Sequence, residues 1–167
     1  MLSANHLAVL GTMIDDRLNR AFAPLSPSAA AVLLTLHHHG PLTTAELGQI
    51  IAITQPTVTR MVTGLAAQGL VRRQARAGRI TPLTLTQQGT ARAQALQEAR
   101  AAAIAPLLDA LPPDERASFE RMLARILAAA TSSRRFARMT CRYCDHAICD
   151  GAACPIGCRA RELEGSC

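Results

Sequence analysis

Aromatic residues are scarce in this sequence, and the shortage narrows the folds and partners that it favours. Trp is absent, and Phe and Tyr together make up only 2% of the chain. Ala and Leu supply most of the apolar content instead, which favours helices over a β-sandwich. Proteins that bind single-stranded nucleic acids usually stack the bases on aromatic side chains. The composition therefore argues against a single-stranded partner.

Long apolar runs are missing as well. No stretch reaches the roughly 20 apolar residues that a membrane helix needs. The N-terminus carries Asp15 and Asp16 and no basic leader, which is not typical of a signal peptide. We therefore expect a cytoplasmic protein without a membrane partner. The sequence also offers no nucleophile–base pair, Gly-rich phosphate loop or His/Glu metal helix, so we do not expect an enzyme.

Acidic residues are absent from the middle of the chain. Residues 48–97 contain no Asp or Glu, although the chain has 12 acidic and 18 basic residues, the latter all Arg. The basic residues of this segment are Arg60, Arg72, Arg73, Arg76, Arg79 and Arg92. They account for the whole formal net charge of +6. Positive charge confined to one segment is typical of a protein that binds a polyanion.

Residues 54–69, TQPTVTRMVTGLAAQG, are predicted to form an amphipathic helix. Thr54 is its expected N-cap, Pro56 lies in the first turn, and Gly69 ends it. Apolar residues at helical spacing form the buried face: Val58, Met61, Val62 and Leu65. The other face has no carboxylate and suits the major groove of double-stranded DNA. Its candidate DNA-binding residues are Gln55, Pro56, Thr57, Thr59, Arg60 and Thr63.

Taken alone, this helix also fits an ordinary amphipathic helix with a solvated face, but its neighbours favour DNA binding. Ser26 is the expected N-cap of an earlier helix that ends at Gly40. Thr43 and Glu46 predict a capping box, which begins a third helix. That helix is expected to end near residue 53, one short turn before the amphipathic helix. Two short helices joined so closely form a helix-turn-helix.

After Gly69 the pattern changes to the alternation of β-strands. Residues 70–73 and 80–86 predict two strands, and Ala77 and Gly78 predict the turn between them. This hairpin, or wing, carries the remaining candidate DNA-binding residues: Arg72, Arg73, Arg76 and Arg79. A hairpin with ordinary solvated charges is the alternative. Its place directly after a helix-turn-helix favours contacts with phosphates or the minor groove.

Three further helices are predicted, at residues 4–22, at residues 90–110, and after the break at Pro112 and Pro113. Their apolar stripes exceed what a small winged domain can cover, so we expect a homodimer to bury them. The expected fold is mainly α with a small β wing: a winged helix-turn-helix with N- and C-terminal dimerisation helices. Four parts are expected along the chain, namely a dimerisation helix in 1–25, a DNA-binding domain in 26–88, dimerisation helices in 89–138 and a cysteine-rich tail in 139–167.

Residues 4–130 resemble the MarR family of bacterial winged-helix regulators. The resemblance rests most on PLTTAEL at the third helix, TQPTVTRMV in the recognition helix and the L-T-x-x-G pattern after the wing. It implies a homodimer whose recognition helices enter successive major grooves of a palindromic operator while the wings reach the flanking minor grooves. It also implies repression that a small phenolic ligand, an oxidant or a metal relieves. The family wing usually reads Asp-x-Arg, whereas this wing has no acid, and Arg79 matches the family's arginine.

The tail contains all six cysteines, in the spacing Cys-x2-Cys-x4-Cys-x4-Cys-x3-Cys followed by Cys167. A reducing compartment argues against disulfides. Closely spaced cysteines with a proline after one of them favour an iron–sulfur cluster, while one Cys-x2-Cys knuckle leaves zinc as the alternative. The expected ligands are Cys141, Cys144, Cys149 and Cys154, with Cys158 in reserve. His146 or Asp145 can replace a thiolate in a zinc site, and a metal-free thiol switch is a third interpretation.

The sequence therefore predicts a dimeric transcriptional regulator, a repressor, that senses redox state or a metal through its cysteine cluster. The alternative is a repressor that responds to a small molecule and carries a structural zinc site in its tail. Two other classes stay open: an electron carrier, favoured only by the cysteines, and a protein-interaction module without DNA binding, favoured only by the missing wing acid.

Overall fold

The structure is a computed structural model that describes residues 1–75 and 81–165. Within these ranges the chain forms eight α-helices and two short strands. The elements are α1 (Leu2–Phe22), α2 (Pro27–His39), α3 (Thr44–Ile51), α4 (Gln55–Ala67), β1 (Val71–Arg73), β2 (Leu83–Leu85), α5 (Gln87–Leu108), α6 (Pro113–Ala130), α7 (Arg134–Thr140) and α8 (Pro155–Leu163). The predicted fold class, mainly α with a small β wing, is confirmed.

Helix α2 lies at the centre of the main core. Ser26 caps it as predicted, because its hydroxyl oxygen accepts a hydrogen bond from the backbone N–H of Ala29 at 3.2 Å. Every residue from 29 to 36 is buried, and α2 packs against α1, α3, α4, α5 and β2. Phe22 of α1 and Leu96 of α5 close this core. A helix that is apolar on all sides is expected in such a position.

Helices α3 and α4 form the predicted helix-turn-helix. The Thr43 hydroxyl accepts from the backbone N–H of Glu46 at 3.2 Å, and the Glu46 carboxylate accepts from the backbone N–H of Thr43 at 2.8 Å. This is the predicted capping box. Helix α3 ends at Ile51, slightly before the predicted end, because Ala52 adopts a left-handed conformation with a φ of 56°.

The wing is an antiparallel pair in which Val71 of β1 lies opposite Leu85 of β2. Both strands are shorter than the sequence predicted. A bridge to Leu42, which precedes α3, extends the pairing by one residue on the other side of β2. The turn predicted at Ala77 and Gly78 lies outside the described residues.

The L-T-x-x-G pattern forms the junction between the wing and α5. The Thr86 hydroxyl accepts from the backbone N–H of Gly89 at 3.0 Å and donates to the carbonyl oxygen of Gly69. A Cβ on Gly89 would lie 1.9 Å from the carbonyl oxygen of Leu70, so no side chain fits there. Because Thr86 is the N-cap, α5 begins at Gln87, three residues before the predicted start.

The long terminal helices leave apolar residues uncovered. Helix α1 packs against α5, but α6 contains no buried residue. The exposed large apolar residues are Leu2, Leu7, Val9 and Met13 on α1, and Met122, Ile126 and Leu127 on α6. Across the described ranges, no helix is long and apolar enough to cross a membrane.

The cysteine-rich region contains two helices that the sequence did not predict. Helix α7 packs against α3 and α8, and α8 packs against α6. Ser133 caps α7 by accepting from the backbone N–H of Phe136 at 3.1 Å. Helix α7 crosses the boundary expected between residues 138 and 139. The tail is therefore folded against the rest of the chain.

Candidate DNA interface and cysteine cluster

Helix α4, the predicted recognition helix, presents its polar face to solvent. Val58, Val62 and Leu65 are buried in the core, which turns the opposite side outward. The predicted DNA-binding residues on that side are exposed, apart from the half-buried Thr57: Gln55, Pro56, Thr59, Arg60 and Thr63. The helix has no carboxylate. The face therefore combines hydrogen-bonding groups with positive charge, which suits the acceptor-rich major groove.

The threonine hydroxyls on this face have partners within the helix. Thr59 donates to the carbonyl oxygen of Gln55 at 3.0 Å, and Thr63 donates to that of Thr59 at 2.9 Å. The Thr57 hydroxyl lies 2.9 Å from that of Thr54. Thr54 occupies the predicted N-cap position, but its side chain caps no backbone N–H. Each of these hydroxyl oxygens can still accept a further hydrogen bond, because a hydroxyl has two lone pairs.

Exposed arginines extend this surface to the wing. Arg60 on α4 and Arg72 and Arg73 on β1 are exposed. Arg73 and Gln55 line the same groove, so the recognition helix and the wing share one surface. The other two predicted wing contacts lie outside the described part of the chain: Arg76 and Arg79.

A small second core holds the tail together. Four buried residues form it, with Cys141 and Cys149 packed against them: Ala137, Cys154, Ile156 and Ala160. Cys154 also begins α8, because its sulfur accepts from the backbone N–H of Gly157 at 3.1 Å. Only one member of this core, Ile156, is a large aliphatic residue.

The four predicted metal ligands lie in a row. Cys141 and Cys149 pack against the small core that contains Cys154. Hydrogen bonding between the Cys141 and Cys144 thiols lowers the pKa of Cys144 to about 6 and raises the pKa of Cys141. Burial, followed by the charge of its neighbours, raises the pKa of Cys149 to about 12. The row thus favours a thiolate, the form that binds metals, beside protonated thiols.

Cys158, the predicted reserve ligand, stands apart from this row. Its thiol donates to the carbonyl oxygen of Gly151 at 3.3 Å, and its sulfur accepts from the Arg161 guanidinium at 3.3 Å. Cys167 lies outside the described residues. The four expected ligands therefore lie near one another, whereas Cys158 is hydrogen-bonded to Gly151 and Arg161.

The cysteine row is not a preformed metal cage. Within residues 1–75 and 81–165, no group of three or more His, Cys, Asp or Glu side chains is arranged to hold a metal ion. Of the two alternative ligands, Asp145 accepts from the backbone N–H of Ala147 at 2.9 Å. His146 packs against His39, with ring centroids 4.5 Å apart. Metal binding would therefore require the thiols to turn toward one point.

Contacts between histidines join the tail to the end of α2, and sequence reasoning missed them. The ring centroid of His146 lies 5.0 Å from that of His38 and 4.5 Å from that of His39. Burial, followed by the charge of His146, lowers the pKa of His38 to about 4. His38 is therefore neutral at pH 7. No local sequence pattern predicts a contact between residues that lie more than a hundred positions apart.

Tyr143 makes a second contact that the sequence did not predict. Its ring packs on Phe22, with centroids 5.3 Å apart, and its hydroxyl donates to the carbonyl oxygen of Pro27 at 3.2 Å. The Gln97 side chain donates to the backbone carbonyl of Tyr143 at 3.4 Å. The tail is thereby attached to α1, α2 and α5 together. The one sequence signal for this contact was a lone tyrosine in a chain with few aromatics.

Known proteins resemble this chain in both sequence and structure. The model of the MarR family matches residues 25–78. The Mycobacterium tuberculosis MarR family protein Rv2887, in complex with DNA, is 26% identical, with a TM-score of 0.64 over 74% of this chain and 95% of that one. MepR, a transcription regulator of the Staphylococcus aureus multidrug efflux pump MepA, is 19% identical, with a TM-score of 0.67 over 77% and 98%. A MarR family protein from Bacillus stearothermophilus is 24% identical, with a TM-score of 0.70 over 77% and 93%. No curated protein sequence matches.

The match to the family falls on the elements that form the DNA-binding surface. Residues 25–78 contain α2, α3, α4 and β1, whereas the cysteine row begins well after them. Proteins of this family are transcription regulators and not enzymes. The resemblance noted in the sequence is thus confirmed: the MarR family model matches residues 25–78, and this chain shares its winged-helix fold with a MarR family protein solved in complex with DNA. The cysteine-rich region lies outside the matched residues.

Proposed function

We propose that this protein is a homodimeric repressor that binds a palindromic double-stranded DNA site under the control of its cysteine row. The observation that carries the proposal is the exposed, acid-free face of α4 beside Arg72 and Arg73. The structure of Rv2887, which was solved with DNA, supports the same role for this fold. In this account α4 reads base edges in the major groove, while the wing arginines contact phosphates or the minor groove.

The exposed apolar stripes support the proposed homodimer. Helices α1 and α6 each expose several apolar side chains, which a second copy of the chain would bury. Single apolar residues scattered over a surface are common and would not indicate a partner. A two-fold dimer carries two copies of α4. The half-sites of its operator should then lie about 34 Å, or one turn of DNA, apart.

The donor set of the tail supports a metal centre. Four neighbouring cysteines match the ligand requirement of either an iron–sulfur cluster or a tetrahedral zinc ion. We propose that Cys141, Cys144, Cys149 and Cys154 hold the cluster, with zinc as the alternative. A repressor that acts on DNA in the cytoplasm would keep these thiols reduced and available.

Packing gives the metal centre a route to the DNA-binding domain. Helix α7 ends next to Cys141 and packs directly against α3, the first helix of the helix-turn-helix. Loss of the cluster would therefore loosen a contact with α3. The contact between α8 and α6 offers a second route, to a predicted dimerisation helix.

Selection from a random duplex library tests the DNA part. We expect a palindrome to be enriched, and affinity to fall roughly 10³-fold or more between 50 and 200 mM salt if 6–10 phosphates are contacted. Arg60→Ala should weaken binding, whereas Arg20→Ala, which removes an exposed arginine at the end of α1, should not. Equal losses for both variants, or no salt dependence, would show that α4 does not read DNA.

The absorption spectrum and metal content of anaerobically purified protein test the metal part. A brown protein with iron and sulfide supports the cluster, and Cys141→Ala should then yield a dimer that binds DNA but no longer responds to oxidant or iron supply. An unchanged response in this variant would contradict sensing through the tail.

The second candidate function is a repressor that responds to a small molecule, with a structural zinc in the tail. A specific observation favours it, because Rv2887 was also solved in complex with salicylic acid. A colourless protein with one zinc per chain, whose DNA binding ignores oxidants but weakens with a small aromatic acid, would support this alternative.

A further inference from the structure

Helix α7 carries a second group of arginines beside the helix-turn-helix. Arg134, Arg135 and Arg138, the α7 arginines, are all exposed. Their spacing of three and four residues places Arg138 next to the other two on the helix surface. They line a groove together with Glu46, Gln49 and Ile50 of α3. The group lies beyond residues 25–78, the segment that matches the family model.

The groove of the α7 arginines adjoins the surface proposed to bind DNA. Glu46 lines this groove, and it also lines the groove that contains Gln55 of α4 and Arg73 of β1. The two grooves therefore meet at the first turn of α3. In a helix-turn-helix the first helix crosses the DNA backbone. Cationic side chains that flank α3 at this point are therefore well placed to reach phosphates.

The charge of this groove suits a polyanion. Arg134 Nη1 lies 3.4 Å from Glu164 Oε2, whereas Arg135 and Arg138 form no hydrogen bond or ion pair with any residue that the structure describes. Among the described residues that line the groove, Glu46 alone is acidic. Its carboxylate already accepts hydrogen bonds from the backbone N–H and the hydroxyl of Thr43, both at 2.8 Å.

Packing distinguishes these arginines from ordinary solvated charges. Helix α7 packs against both α3 and α8, and Ala137, between the arginines, is buried in the tail core. The helix is therefore held in a fixed position relative to the helix-turn-helix. A guanidinium on such a support loses less freedom when it binds than one on a mobile segment.

We propose that α7 is part of the DNA interface, and that Arg135 and Arg138 contact operator phosphates next to those that α3 crosses. Arg134 contributes less, because it is paired with Glu164. Phosphate contacts carry no sequence information, so this surface adds affinity and not base preference. The inference rests on the proposed DNA-binding function and gives the tail a direct share in it.

Fluorescence anisotropy of the full-length protein tests this surface. The probes are the labelled duplex selected from the random library and the same duplex with both half-sites scrambled. Each phosphate contact contributes about 0.9 to the slope of log affinity against log salt concentration. A dimer carries two copies of each arginine, so Arg138→Gln should make the slope shallower by about 2 and weaken binding about tenfold or more. The loss should be equal on both probes, whereas Arg60→Ala should weaken the selected duplex more than the scrambled one.

Three further variants separate a phosphate contact from total charge and from misfolding. Arg135→Gln should behave like Arg138→Gln. Arg138→Lys keeps the positive charge and should retain most of the slope, because a phosphate also accepts a point charge. Arg159→Gln removes the same charge from α8, where Arg159 pairs with Glu162 at 3.0 Å and lines neither groove. This control should leave slope and affinity unchanged, and circular dichroism should show native helix content in every variant.

The outcomes separate this inference from the proposed function. An unchanged slope in both Arg135→Gln and Arg138→Gln, while Arg60→Ala still weakens binding, would overturn the α7 surface and leave the repressor in place. An equal loss in Arg159→Gln would show that only the net charge of the tail matters, which would also overturn it. A native protein that binds neither duplex would remove the proposed function together with this surface.

Discussion

The DNA-binding domain and the cysteine-rich tail are held together by different means. The main core around α2 buries large aliphatic side chains such as Leu33, Leu34, Leu47 and Leu65. The tail core has Ile156 as its one large aliphatic residue and fills the remaining space with alanines and a cysteine. Burial of apolar area contributes roughly 25 cal/mol per Å², so the tail gains far less from it than the domain does.

This difference explains why the tail is rich in cysteines and in contacts with other helices. Segments below about 40 residues rarely fold on apolar burial alone and usually need disulfides, metals or a partner. The tail has four neighbouring thiols, and it is attached through Tyr143, His146 and α7 to a domain that is already folded. We infer that the domain folds on its own core and that the tail depends on docking and on the proposed metal centre.

The largest expected effect comes from removing one ligand of the row. Structural zinc sites contribute on the order of 10 kcal/mol to folding, so Cys154→Ala should abolish metal binding and open the tail to protease. Cys158→Ala is the matched control, because its thiol lies outside the row, and it should retain both metal and protection. The measurement is metal content with limited proteolysis, and equal behaviour of the two variants would contradict the assigned ligands.

A core substitution in each region sharpens the comparison. Leu33→Ala should lower the free energy of unfolding by about 3–5 kcal/mol, because Leu33 is fully buried among other large side chains. Ile156→Ala should change the main unfolding transition by less than about 1 kcal/mol, since the domain does not need the tail core. Urea denaturation followed by circular dichroism measures both. A comparable loss for Ile156→Ala would mean that the two regions unfold as one unit.

Sequence patterns were informative where local chemistry determines the structure. The capping box of Thr43 and Glu46 and the cap at Ser26 follow from hydrogen bonds within a few residues. The four neighbouring cysteines were also predictable, because their spacing in the sequence is short. The DNA-binding residues were chosen from α4 periodicity, and all of those in α4 lie on its outer or half-buried side.

The features that sequence reasoning missed depend on contacts between distant residues. Helices α7 and α8 are short and lie in a segment whose cysteines and glycines favoured a loop. The packing of His146 on α2 and of Tyr143 on Phe22 joins residues more than a hundred positions apart, and no local pattern encodes such pairs. The packing of α7 against α3 likewise brings distant residues together, so it too was beyond prediction.

Removing the aromatic contact of the tail should have a smaller effect. Tyr143→Ala loses the ring contact with Phe22 and one hydrogen bond, which together contribute about 1–2 kcal/mol to docking. Tyr143→Phe keeps the ring and should weaken docking of the tail by less than about 1 kcal/mol. Hydrogen exchange of α7 and α8 should be faster in the alanine variant and nearly unchanged in the phenylalanine variant. If neither changes, Tyr143 does not hold the tail.

The smallest expected effect lies at the start of the helix-turn-helix. Thr43→Ala should lower the free energy of unfolding by about 1 kcal/mol, because it removes a helix cap. Hydrogen bonds from Thr43 lower the pKa of Glu46 in the folded protein. The ionised Glu46 carboxylate therefore stabilises the folded protein at pH values above the pKa of Glu46 in the unfolded chain, which is about 4.3. This contribution is lost as the pH falls through the lower pKa that Glu46 has in the folded protein.

Thermal unfolding between pH 7 and pH 3 checks this prediction. The difference in stability between the native protein and Thr43→Ala should shrink as the pH falls, because protonated Glu46 no longer accepts both bonds. A difference that stays constant over this range would show that the capping box does not depend on the charge of Glu46.

Hydrogen exchange before and after removal of the proposed metal tests the difference between the two regions most directly. The protein is measured as isolated and again after treatment with a chelator, with exchange resolved by helix. We expect α7 and α8 to lose their protection while α2, α3 and α4 retain theirs, because the proposed metal centre lies in the tail alone. Equal protection of α7 and α8 in both samples would contradict the account, and so would a loss of protection in α2 as large as that in the tail.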